Sequence, residues 1–436
     1  MRLIRLLKHD LAKEVTSWVA EGIISTEQAA AICSSYGLDY HNLSRRSYGY
    51  RILVGLGYLF IGLALITLIG ANWDGIPRAV RMIGLIALTL ATNLLGLYKF
   101  RRENESAVTW FFLGGLFYGA SIMLIAQIYH IDEHYPDGIF WWAMGVLPVA
   151  VLTESALIMI LSVCLGFTWF IVESSLNFYP ALFPIFMAAM LWRLSRGRQS
   201  NTIFLLLAAA LVLWAECTMA WLLSDKPGFQ AGGENVALFL GLLLAFHALA
   251  KWLVQRKESV PADYGTLLGI WVLRFAIVTL FVFSFYYPWQ ALISAGWKMP
   301  GLAIAVSSLL VLLAVLLAYK AKESMIFTSA FGVLFIAGLV ALTQVHDGAF
   351  ALGFQFADNI ALVATGIWLI IIGIRDSVSR YFYLGVFTIL TTGLLRYIAL
   401  VGDYIGTAVL FAILAVIILG AAKYWRSYSA KAGTMP

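Results

Sequence analysis

Pro300-GLAIAVSSLLVLLAVLLA-Tyr319 opens on a proline, carries no charge, and stops at Tyr319-Lys320. A helix needs about 20 apolar residues to cross a hydrocarbon core of about 30 Å, and this run supplies them. Worked outward, the pattern recurs at 50–71, 76–97, 107–129, 138–152, 155–173, 177–192, 202–223, 234–254, 265–287, 300–319, 325–344, 355–374, 381–401 and 405–424. These runs predict an all-α, polytopic membrane bundle of about fourteen spans, because backbone polar groups in lipid must be satisfied within the helix. The stretch 138–173 reads either as two short spans or as one broken, re-entrant element, which would leave about thirteen.

Composition points the same way. Of 436 residues 62% are hydrophobic and 12% charged, against about 45–50% apolar and about 25% charged in soluble domains. That excludes a soluble enzyme, a disordered chain and a collagen. The three cysteines, Cys33, Cys164 and Cys217, are far apart and give neither a metal spacing nor a disulfide framework.

The formal charge of +6 sorts by loop. With residue 1 inside, most of the 29 basic residues fall in inner segments: those of residues 1–51, then Lys99, Arg101 and Arg102, then Arg193, Arg196 and Arg198. Lys251, Arg256 and Lys257 follow, then Lys320 and Lys322, Arg375 and Arg380, and the tail with Lys423, Arg426 and Lys431. The other side collects Asp74, Asp132, Glu133, Asp137, Glu173, Asp225, Glu234, Asp347, Asp358 and Asp403, with only Arg78, Arg81, Lys226, Lys298 and Arg396 as bases. This alternation predicts a multi-pass protein with both termini cytoplasmic. The inner turn Thr153-Glu154 alone lacks a base. The positive balance orients the chain in a lipid bilayer and gives no support to nucleic-acid binding.

Residues 1–49 are polar and show no signal-peptide pattern. They predict a small helical hairpin: a first helix from about Leu3 to Ala20, a turn at Glu21-Gly22, a capping box Ser25-Thr-Glu-Gln28, and a left-handed stop at Gly37. Four regions follow: 1–49 as a cytoplasmic hairpin, 50–200 as a first transmembrane half, 201–260 as a linking pair and 261–436 as a second half. The halves suggest a parallel internal repeat. Trp73 with Pro77 matches Trp297 with Pro300, Tyr98-Lys99 matches Tyr319-Lys320, and Gly114-x-Leu-Phe matches Gly332-x-Leu-Phe, each helix pair closing near a glutamine, Gln127 or Gln344.

Polar groups inside spans are costly and mark candidate sites. Arg274 stands nine residues into the run 265–287 and reads as an anion site, as a structural partner of Glu216, or as a snorkelling cation. Glu216 lies in the outer third of its run, roughly 8–9 Å from the level of Arg274. Asn93 and Gln127 complete the substrate-binding candidates, though such amides also join neighbouring helices. In the outer loop 127–138, His130 and His134 are one helical turn apart beside Asp132, a candidate divalent-metal or proton-sensing set. A solvated acidic turn is the competing reading, since His-x-Asp-Glu-His lacks the metalloprotease order and Pro136-Asp-Gly138 favours a loop. No phosphate loop, nucleophile elbow or nucleotide-binding domain is legible, so no cofactor is indicated.

Trp18-Val-Ala-Glu-Gly-Ile-Ile-Ser-Thr-Glu-Gln28, Ala71-Asn-Trp-Asp-Gly-Ile-Pro77, and Gly119-Ala-Ser121 leading to Ala126-Gln-Ile-Tyr-His130 occur in that order. Over about residues 10–175 the chain resembles bacterial predicted membrane proteins grouped as domain of unknown function 2157. Arg396-Tyr397 and Gly402-Asp-Tyr404 resemble the C-terminal region that often accompanies it. The resemblance implies a bacterial inner membrane and a cytoplasmic N-terminal hairpin, and brings no activity or catalytic residue. The combined expectation is a secondary transporter or flippase for a small anionic or amphiphilic solute. The alternative is a non-transporting scaffold or sensor that docks a cytoplasmic protein through the hairpin.

Overall fold

The computed structural model describes residues 14–35, 60, 75–129 and 134–399, apart from 16, 20, 105, 197–198, 226–227, 257, 322–324, 346 and 377. No strand occurs among the described residues. The chain divides into two compact units, Met1–Gly84 and Leu85–Pro436.

In the first unit, residues 14–15 and 17–19 are helical. The chain turns at Gly22, whose φ of 74° is the left-handed region glycine tolerates without strain. It then enters α1 (Thr26–Ser35). The capping box forms: Ser25 N–H donates to Gln28 Oε1 at 2.9 Å, and Gln28 N–H donates to Ser25 Oγ at 3.2 Å. Two orphan donors at the helix start are thereby satisfied. Val15, Ala29 and Cys33 are fully buried against one another, with Trp18, Val19, Ile24 and Ile32 around them. Gly37 and the expected span 50–71 lie outside the described residues, as does the run 405–424 at the other end of the chain.

Along the rest of the chain, α2 runs Arg78–Arg101, α3 Ala107–Tyr129, α4 Pro136–Leu152, α5 Ala156–Ser175, α6 Pro184–Ser195 and α7 Asn201–Leu222. They are followed by α8 Gly233–Val254, α9 Ser259–Phe283, α10 Tyr286–Ser294, α11 Pro300–Lys320, α12 Met325–Gln344, α13 Phe350–Arg375 and α14 Ser379–Ala399. Eight of these, α2, α3, α5, α7, α8, α9, α11 and α13, are long and apolar enough to cross a membrane. Among the described residues each apolar run between 76 and 399 overlaps a helix. The stretch 138–173 is two helices packed on each other, turned by Glu154 at φ 49°. The run 177–192 begins its helix only at Pro184, since Asn177 turns left-handed and Pro180 and Pro184 punctuate the approach.

Helices α3 to α7 share the largest core, in which Ile158, Met159, Val163, Phe183, Phe186, Met190 and Ile203 are fully buried. Inside that core Ser162 Oγ donates to Ala143 O at 2.9 Å, a polar tie between α4 and α5. Farther along, small residues let backbones meet. A Cβ on Gly385 of α14 would lie 2.6 Å from Gly366 O of α13, and one on Gly265 of α9 would lie 2.5 Å from Ala250 O of α8. In lipid no hydrophobic drive separates helix from solvent, so such close packing carries the association. The outer surface is apolar, with Ile326 84% and Leu334 70% exposed on α12, as a hydrocarbon surround requires.

Hydrogen bonds between elements join ends that the charge alternation puts on one side. At the basic end, Arg193 Nη2 donates to Glu154 O at 3.2 Å, so the turn that lacks a base of its own borrows one from α6. Nearby, Ser200 N–H donates to Tyr264 Oη at 3.0 Å, and Gln199 Nε2 donates to Asp263 Oδ2 at 3.4 Å. At the acidic end, His134 Nε2 meets Glu173 Oε2 at 3.0 Å, Tyr179 Oη meets Thr218 Oγ1 at 2.7 Å, and Met299 N–H donates to Glu234 Oε1 at 2.8 Å. Lys298 Nζ donates there to Asp225 Oδ2, to Leu223 O at 3.0 Å and to Gln230 Oε1 at 2.7 Å.

Candidate functional site

The structure scatters the residues nominated from sequence. Asn93 donates to Thr89 O of its own helix at 2.9 Å, and its amide rests against Gly114 of α3, where a Cβ would come within 2.6 Å. The glycine leaves room for the amide at a helix crossing. Gln127 is exposed near the end of α3. Glu216 Oε2 accepts from Asn235 Nδ2 at 2.8 Å, and the same amide nitrogen donates to Glu216 O at 2.9 Å. Glu216 Oε1 is buried without a partner among the described residues. The pairing of Glu216 with Arg274, one of the three readings of that arginine, is not made among the described residues. His134 is tied to Glu173 and set edge-on to Phe178 at 4.9 Å. His130 and Asp132 lie outside the described residues, and the described ones hold no cluster of three potential metal ligands.

Arg274 is exposed on α9. The helix begins at Ser259, six residues earlier than its apolar run suggests, because Pro261 is tolerated in a first turn. Arg274 therefore starts about 13 Å from the acidic end at Phe283, where the apolar run put it about 13 Å from the basic end. Side chains on a helix lean toward its N-terminus, and the guanidinium lies over the Trp271 ring, 5.1 Å from its centre. That carries the charge back to about 18 Å from Phe283, near the middle of α9. The hollow beside it is a surface groove of about 380 Å³ rather than an internal chamber. Its walls are Trp271, Phe275, Val278 and Phe281 of α9 with Leu384 and Phe387 of α14.

A denser polar group, not foreseen from sequence, sits farther along the same two helices. α9 stops at Phe283, Phe285 is extended at φ −95° and ψ 156°, and α10 begins at Tyr286. The carbonyls freed by this break are met by side chains: Phe283 O accepts from Trp289 Nε1 at 2.6 Å, and Ser284 O from Gln355 Nε2 at 3.0 Å and Asn359 Nδ2 at 3.1 Å. Arg396 Nη2 of α14 donates to Ser284 Oγ at 3.3 Å, and its guanidinium lies 5.0 Å from the centre of the Phe285 ring. Asp358 is within electrostatic range of Arg396. Asp358 Oδ2, Asn359 Oδ1 and Arg396 Nε are buried without a hydrogen-bond partner among the described residues. A carboxylate and a guanidinium thus share a region of low dielectric without closing on each other.

Asp358 was read as an outer-side acid and not as a site residue, because its run was taken to start at 355. The helix starts at Phe350, which puts Asp358 about 12 Å inside it. The signal was present: opposite charges, Asp358 and Arg396, inside two successive apolar runs.

One helix relates the two places. α9 and α14 both pack on α13; they meet through Arg396 and Ser284, and again at the groove, where Leu384 and Phe387 stand with Phe275, Val278 and Phe281.

No curated protein and no solved structure matches the chain. A family model does, and its stretch contains all three motifs quoted from the sequence. Over residues 16–159 the chain matches the family described as predicted membrane protein (DUF2157).

Proposed function

We propose that this multi-span membrane protein binds an anionic amphiphile in the groove between α9 and α14 and moves it across the bilayer. One observation carries the reading: Arg274 presents an exposed guanidinium among aromatic and aliphatic walls, on a helix long and apolar enough to cross a membrane. A charge there is expensive without a counter-charge. A headgroup anion supplies it, and guanidinium binds phosphate or carboxylate through paired N–H donors. The apolar walls suit the attached chain. The other parts of the reading are a bacterial inner-membrane location with the basic end cytoplasmic, about fourteen spans, and a duplication relating α2–α3 to α11–α12. The duplication is supported by Gly114 resting on Asn93 and Gly332 resting on Val311, at the same sequence separation.

The test uses the full chain in phosphatidylcholine vesicles doped with phosphatidylglycerol that carries a photoactivatable acyl chain. Labelling is expected on residues 271–281 and 384–387. Arg274→Gln should lower it about tenfold, the loss of one charge-assisted contact, and slow leaflet exchange of a fluorescent phosphatidylglycerol. Equal labelling of wild type and Arg274→Gln, or equal labelling by a phosphatidylcholine probe, would remove the basis of the reading.

A further inference from the structure

The groove at Arg274 ends below a second guanidinium. Along α9 the row Trp271, Arg274, Val278 and Phe281 recurs at helical spacing, and past the end of the helix Arg396 lies over the ring of Phe285. The rise from Arg274 to the end of α9 at Phe283 is about 13 Å. Arg274 on α9 and Arg396 on α14 are carried by helices that both pack on α13.

Arg396 has capacity to spare. A guanidinium carries five N–H donors. One hydrogen bond, to Ser284 Oγ, serves it among the described residues, and its Nε is buried unpaired. Asp358, the counter-charge that acts on it among the described residues, leaves Oδ2 unpaired instead of closing a salt bridge. Among the described residues Arg396 is the one ionisable group whose charge acts on Asp358; α9 contributes Ser284, and α10 sets Trp289 against Phe354 of α13.

From this arrangement we infer that Arg396 is a second headgroup station for the same anionic amphiphile, and that Asp358 takes up one proton when the anion arrives. The inference rests on the reading of the Arg274 groove. Its physical basis is charge balance. Arg396 and ionised Asp358 together are neutral, and an anion added beside them would leave a net negative charge in a low-dielectric setting, which is strongly disfavoured. A proton on the Asp358 carboxylate restores neutrality. It forms an O–H bond on Asp358 and neither makes nor breaks a covalent bond in the amphiphile. The anion and one proton thus enter the station together.

The experiment repeats the photolabelling with the phosphatidylglycerol probe over a range of pH and reads two regions separately: residues 271–281, and residues 285–289 with 394–397. In wild type, labelling of the second region should rise as pH falls while the first stays level. Arg396→Gln should cut second-region labelling about tenfold, and Arg396→Lys should keep part of it. Asp358→Asn should give high, pH-independent labelling of the second region. First-region labelling in each variant shows that the fold is intact. Displacement of second-region label by inorganic phosphate alone would mean that the station takes a free anion, and would overturn the amphiphile assignment. Arg274-dependent labelling that never reaches the second region, or reaches it without regard to Arg396, refutes the second station and leaves the groove standing. Loss of Arg274 dependence everywhere refutes the groove itself.

Discussion

A glutamate 1% exposed inside an apolar bundle must be fully employed, and Glu234 accepts the main-chain N–H of Met299 at the start of α11. Removing the acceptor strands a buried donor, which costs about 1–3 kcal/mol. Glu234→Ala should therefore lower the thermal midpoint in detergent, and Glu234→Gln, which keeps an oxygen, should lower it less; equal midpoints for wild type and alanine would discredit the assignment. Cys33 poses the opposite case, a group with no task beyond packing. It is fully buried, and burial pushes its thiol above the ordinary range, so little nucleophilic thiolate forms near neutrality. Maleimide should modify Cys33 only after unfolding, and rapid modification of the folded chain would contradict its place in that small core. At this scale the sequence was partly legible. The capping box at Ser25 and Gln28 is local and formed as read. The partner of Glu216 was not legible, because Asn235 reaches it from another helix.

Elements were the most readable level. Apolar run length sets helix length, and prolines at 136, 184 and 300 each open a helix where a missing N–H does no harm. The discrepancies are physical too. A hydropathy reading sees 265–287 as one run, yet the chain breaks at Ser284-Phe285 because Gln355, Asn359 and Trp289 supply the freed carbonyls from elsewhere. The α13–α14 seam is another property of pairs. Gly385→Val would drive a side chain into Gly366 O, so it should destabilise the folded chain and push these helices apart. Gly353→Val on α13, where nothing lies within 4 Å of a new Cβ, is the matched control. Comparable melting of the two variants would mean that the seam is not a close contact in the folded protein.

For the whole molecule, the two ends of the bundle give the sharpest prediction. Single cysteines placed at Arg196 and Arg256 of a cysteine-free chain should react with a membrane-impermeant reagent only from the cytoplasmic side. Those at Asp137, Asp225 and Asp347 should react only from the opposite side. Mixed reactivity within either set would break the alternation that orients every helix. Sequence alone determined that this chain is a bundle of apolar helices and where most of them begin and end, because span length, proline placement and loop charge are local quantities set against a bilayer of fixed thickness. Only the tertiary structure decided that Arg274 lies on a surface groove and that Asp358, Arg396 and Ser284 share one place. Such meetings depend on which helix faces pack, and faces are chosen by contacts between residues more than a hundred positions apart, as Ser284 and Arg396 are.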